Sequence, residues 1–184
     1  MTEPTKQTLP LEECLVEVTS GIGARWKDFP VLGATRDGLA PAKEPVGKNP
    51  QRYKYVHQGT IFYNPMRILI GSIAMIDVGD RDGITSPDYV VFKTVETKLN
   101  SRWFYFWLRS IKGENYIRGL ARGAVRERML FKRLVQGSIA APSINKQNQI
   151  ADALLVVRNA RRKAEEQISE INSLAAALLR SGNT

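Results

Sequence analysis

The 184-residue sequence has one cysteine and one histidine. Cys14 alone allows neither an internal disulfide nor a multi-cysteine zinc site. His57 alone removes most routes to a histidine metal site or a nucleophilic triad. Long apolar runs are missing too. The longest, Ile68 to Ile76, falls far short of the ~20 residues that span a bilayer. Met1-Thr2-Glu3-Pro4 is neither basic nor apolar, so no secretory signal is expected. Complete glycine-rich phosphate loops are also absent. Gly21-Ile22-Gly23 lacks the third glycine, and Gly119 to Gly123 lacks the Gly-Lys-Ser/Thr ending. These absences predict a protein without a metal, cofactor or membrane span, in a reducing compartment such as the cytoplasm.

What is present is basic charge, and it is concentrated. The net charge is +9, from 27 Lys+Arg against 18 Asp+Glu. Residues 1–100 carry 12 basic and 12 acidic side chains, whereas residues 101–133 carry nine basic and two acidic. Such a concentration predicts a polyanion-binding surface. The alternative is a solvated face that keeps the protein in solution. Within it, Gly119 to Arg128 (GLARGAVRER) sets Arg122, Arg126 and Arg128 on a Gly/Ala-rich backbone that can approach phosphates, with Arg118 and Lys132 beside it. Arginine suits bidentate contacts to guanine or phosphate. Arg36, Arg67 and Arg81 fall in or beside predicted loops, where they can reach base edges.

The 43% hydrophobic content supports a real core. Residues 9–19 read as one short element, Phe29 to Ala34 as a short strand and residues 36–52 as a long loop. Tyr53 to Val56, Thr60 to Tyr63, Ile68 to Ile76 and Tyr89 to Val95 are β-branched or aromatic and read as strands. Asn100-Ser101 is placed to cap a helix over Arg102 to Ile111, and a second helix is predicted over Glu114 to Leu120. Trp103 to Trp107 is an aromatic run that core burial explains. Strands before helices, without strict alternation, predict an α+β domain with a mixed sheet over residues 1–144.

Residues 145–184 differ in character. Lys146 to Arg180 contains no glycine and no proline. Ile150, Leu154, Val157, Arg161, Ala164, Ile168, Ile171, Ala175 and Leu178 alternate at spacings of four and three. That is a heptad seam, and it predicts a coiled-coil helix roughly 52 Å long. Arg161 within it is costly in an apolar layer and is suited to setting register.

Two fragments imitate catalytic motifs. Asn64-Pro65-Met66 lacks the second proline and the aromatic of the amino-methyltransferase motif and reads as a turn. Asp88, Glu96 and Lys98 imitate a Mg²⁺-dependent nuclease site, which needs both carboxylates on one ion. One strand over residues 89–95 would hold Asp88 and Glu96 ~26 Å apart.

Pro142, Ile144, Gln147, Ile150, Ala151 and Leu154 together resemble the junction between recognition domain and long helix in the specificity (S) subunits of Type I restriction–modification systems. Tyr53 to Val56, Gly59 to Asn64, Gly71 to Ala74 and Gly83 to Phe92 are similar to the body of that domain. The resemblance implies a non-catalytic subunit that reads double-stranded DNA. It also implies methylation (M) subunits, which bring S-adenosylmethionine, and restriction (R) subunits, which bring ATP-driven cleavage. Usual members carry two recognition domains and two antiparallel helices; this sequence shows one of each. A homodimer through the seam, reading an inverted-repeat split site, is therefore expected. A freestanding DNA-binding dimer, such as a regulator, is the alternative, and the nuclease is a third reading.

Overall fold

The computed structural model describes residues 7–121 and 128–181. The chain divides into two units between Asn148 and Gln149. The first unit is built on a four-stranded antiparallel sheet with the order β2 (Leu15–Glu17), β9 (Val90–Thr94), β6 (Ile61–Tyr63), β7 (Ile73–Met75). Three two-stranded ladders surround it. They are β1 (Gln7–Pro10) with β10 (Ser138–Ala141), β3 (Leu32–Thr35) with β4 (Gly38–Pro41), and β5 (Lys54–Val56) with β8 (Gly83–Thr85). These ladders are antiparallel, and a parallel bridge joins Val31 to Ile84. The helices are α1 (Ser101–Leu108), α2 (Ile111–Ala121), the short α3 (Phe131–Leu134) and α4 (Ile144–Ser181). The α+β class, with mixed sheets and one long C-terminal helix, is borne out.

Register explains why the central strands are apolar at every position. Phe62 lies opposite Ala74 on one side and Val91 on the other. These three side chains pack in one cluster with Ala34, Val56 and Ile76. Because side chains alternate along a strand, Ile61 and Tyr63 point to the opposite face. There Tyr63 meets Phe92 at 6.3 Å between ring centroids, and Phe92 meets Phe104 of α1 and Phe131 of α3. A strand covered on both faces has no polar side to show, so β6 is buried throughout.

Asn100 caps α1 as its sequence predicts: its side-chain oxygen accepts from the Trp103 N–H at 2.9 Å. Gln147 supports that cap. It is fully buried, accepts from the Asn100 N–H at 3.0 Å and donates to the Pro142 carbonyl at 2.9 Å. Buried amides need such partners, which gives the Pro142–Gln147 spacing a physical reason.

Three expectations change. The loop over 36–52 contains β4, which turns back onto β3 at Gly38, a glycine with φ +113°. The run Ile68 to Ile76 is not one strand. Ile68–Ile70 forms a 3-10 turn that ends at Gly71 (φ +86°), and only Ile73–Met75 joins the sheet. A left-handed residue cannot continue a strand. Residues 9–19 split into two strands around a 3-10 turn at Leu11–Glu13, so each pairs with a different sheet.

The second unit is the greater part of α4, a 38-residue helix, about 57 Å long at the usual rise. No described helix is long and apolar enough to cross a membrane.

Candidate nucleic-acid interface

Three loops converge at one end of the four-stranded sheet. Tyr63 pairs with both Ile73 and Val90, so the segment after β6 and the segment before β9 emerge together. The β6–β7 loop is held by its own backbone: Asn64 Oδ1 accepts from the Met66 N–H at 2.9 Å, in the turn that its sequence predicts. It carries Met66, Arg67, Leu69 and Ile70, all exposed, with Ile70 at 67%. Isolated exposed apolar residues need no explanation, but three within five positions, around an arginine, form a surface feature.

The β3–β4 turn lies against this loop, with the Arg36 side-chain stem over Gly71. Arg109 of the α1–α2 connection joins the two. Its guanidinium donates to the carbonyls of Ile73 at 3.0 Å and of Arg36, and it lies over the Tyr105 ring. Two adjoining clefts of about 490 and 600 Å³ result, sharing Arg36 and Ile70. Arg109 and Arg118 line the first, with Glu114; Arg67 and Lys43 line the second, with Glu44. Five basic and two acidic side chains therefore surround a partly apolar groove. Such a field is suited to a polyanion, beside which the loop presents aliphatic side chains. Lys54 borders this region. Its ammonium donates to the Tyr89 carbonyl at 2.7 Å, and burial pushes its pKa below the usual lysine value.

Arg36, Arg67 and Arg118 are thus brought to one place. Arg81 is exposed beyond the other end of β7, away from the Arg67 loop. Arg128 pairs with Asp88 at 3.4 Å, both exposed, and Met129 N–H bonds the Pro65 carbonyl at 3.1 Å, which ties this segment to the β6–β7 loop. Lys132 is exposed on α3. Arg122 and Arg126 lie outside the described residues.

The concentrated charge of residues 101–133 needs correction. Arg102 is only 13% exposed and forks onto Asp77, itself 4% exposed, with Nε 2.9 Å from Oδ2. Arg109 is occupied with carbonyls. Both arginines hold the fold together, and sequence proximity to the other cations disguises that role. Conversely, sequence reading misses Leu69 and Ile70 as surface, because they sit in the apolar run Ile68 to Ile76, which imitates a strand. Gly71 is the signal that could have found them.

The nuclease-like residues are not assembled. Asp88 and Glu96 flank opposite ends of β9, and Lys98 pairs with Glu13 at 2.9 Å. Cys14 is fully buried, and burial raises its pKa, as befits a packing residue. His57 packs 5.4 Å from the Tyr55 ring. Tyr55 in turn donates to Asp82, and that bond raises its pKa.

By sequence, no family model and no curated protein matches the chain. By structure, it has the fold of the HsdS specificity subunits of type I restriction–modification systems. The S subunit HsdS from Thermoanaerobacter tengcongensis matches with a TM-score of 0.60 and 15% identity, over 91% of this chain and 45% of that one. The S subunit from M. genitalium matches at 0.58 and 14%, over 92% and 43%. A chain of a type I R-M system, solved for its complex assembly and conformational transition, matches at 0.62 and 13%, over 92% and 47%. The present chain therefore spans under half the length of these structures.

Proposed function

We propose that this chain is a DNA-recognition specificity subunit, with residues 1–144 as the target-recognition domain and 145–184 as a dimerisation and spacer helix. The convergence of Arg36, Arg67 and Arg118 on an exposed apolar loop carries this reading. Two copies joined through the α4 seam read an inverted-repeat split site in the cytoplasm. They direct the methylation and restriction subunits, which supply S-adenosylmethionine- and ATP-dependent chemistry, while this chain contributes recognition alone. The exposed seam supports the pairing: Val157, Ile168, Ile171 and Leu178 are 58–72% exposed in the single chain.

Binding to double-stranded DNA should weaken steeply with salt, because phosphate contacts release counterions. Replacing Arg36, Arg67 and Arg118 together by Ala should flatten the plot of log affinity against log salt by about 0.9 for each phosphate no longer neutralised. An unchanged slope removes these side chains from the interface. DNA binding without co-purification of a methyltransferase from the native host would favour the freestanding regulator. Mg²⁺-dependent cleavage abolished by Asp88→Ala would restore the nuclease.

A further inference from the structure

The α4 seam does more than offer a sticky face; its charges and side-chain sizes distinguish one pairing from its competitors. We infer that the antiparallel α4 pair, the arrangement the family resemblance implies, closes in a single register set by this chain's own residues. The two-fold axis passes between Arg162 and Lys163, and reciprocal Arg158–Glu165 ion pairs close the flank. This inference rests on the homodimer proposed above.

Orientation is decided by Arg161. In a parallel pair each core position faces its own copy, so Arg161 would meet Arg161 inside an apolar layer. Two like charges there are costly. The positions flanking a parallel seam offer no compensation: Ala153 would face Arg158, and Ala160 would face Glu165. Antiparallel pairing instead sets the Leu154-type positions against the Ile150-type positions, and Arg161 never faces itself.

Register is decided by size and by the flanking charges. In the proposed register Leu154 faces Ile171 of the second copy, Val157 faces Ile168, and Ile150 faces Ala175. Arg161 faces Ala164, one of the two alanines of the seam, which leaves room for its stem. Glu165 is already held at 2.8 Å by Arg161 of its own helix, and its carboxylate lies beside the interface, where Arg158 of the second copy arrives. Both pairs form twice by symmetry.

A slip of one heptad in either direction loses this. One slip brings Glu165 against Glu165 across the axis and sets Arg161 against the bulky Ile171. The other brings Arg158 against Arg158 and leaves the C-terminal layers without partners. Attraction in one register with repulsion in both neighbours is how coiled coils select a partner alignment.

Cysteine cross-linking of the full chain tests the register, with buried Cys14 left in place. Val157→Cys with Ile168→Cys should give covalent dimers on mild oxidation. Val157→Cys with Ala175→Cys, which meet only in a slipped register, should give at least about tenfold less, because disulfides demand close Cα atoms. Preferential cross-linking of the second pair would overturn the register while leaving the homodimer standing. A monomer in sedimentation of the unmodified chain would overturn the homodimer itself. Charge swapping gives an independent readout. Arg158→Glu and Glu165→Arg chains repel themselves and attract each other, so mixing them should enrich the heterodimer about tenfold over statistical exchange by native mass spectrometry. Statistical mixing would overturn the ion pair.

Discussion

In the sheet core of residues 7–148 the aromatic side chains are inside: Phe62, Phe92 and Phe104 are all fully buried, and even the central β6 presents nothing to solvent. Beyond residue 156 of α4 the reverse holds, and Val157, Ile168, Ile171 and Leu174 are more than half exposed. The central sheet of the first region covers both its apolar faces because register sends alternate residues into two separate packing layers. A lone helix has no second layer to use. Its apolar stripe is a surface that only another helix can complete. Stability in the first region is therefore internal, and in the second, under the proposed dimer, it depends on an assembly.

Substitutions can break this contrast. The largest effect is expected from Ile168→Asp, which strikes the proposed dimer twice. Losing two buried isoleucines and adding two charges should cost about 3–6 kcal/mol of association, read as a shift from dimer to monomer in sedimentation. The unfolding of the first region should be unmoved. Phe92→Ala should do the opposite, lowering the stability of the first region by about 3–5 kcal/mol in denaturant titration, with the helical signal of α4 and self-association retained under native conditions. Asp77→Asn leaves the Arg102 guanidinium in a buried site without its counter-charge and should cost about 3 kcal/mol. If the loss is negligible, Arg102 does not brace the fold. The smallest effect is chemical. Burial raises the Cys14 pKa, so less thiolate exists at pH 8 than for an exposed cysteine, and alkylation should proceed only as the first region unfolds. Rapid labelling of the folded chain would show that its packing is looser than the burial implies.

The two regions also differ in how much their sequences disclose. The α4 helix is legible almost to its ends, because helix periodicity is local and a heptad seam repeats it many times. The central strands are legible for the same reason, in runs such as Ile61 to Tyr63. What escapes depends on distant partners. β10 is a short stretch, Ser138 to Ala141, made a strand only by β1, more than 120 residues earlier. β4 is a strand because β3 precedes it by a tight turn, although its own residues include glycine and proline. The candidate site is legible in residue type and obscure in role. Arg36 and Arg67 stand out as loop arginines, whereas Arg102 and Arg109 look like surface charge. Only the positions of Asp77 and of the Ile73 and Arg36 carbonyls separate an arginine that braces the fold from one available to a ligand.

The exposed stripe on α4 has a thermodynamic corollary. If a second copy covers it, mass action enters the folding equilibrium of the helix. Each tenfold dilution then removes about 1.4 kcal/mol from the pair. The melting temperature of the helix should fall with dilution, while that of the sheet-based region stays constant.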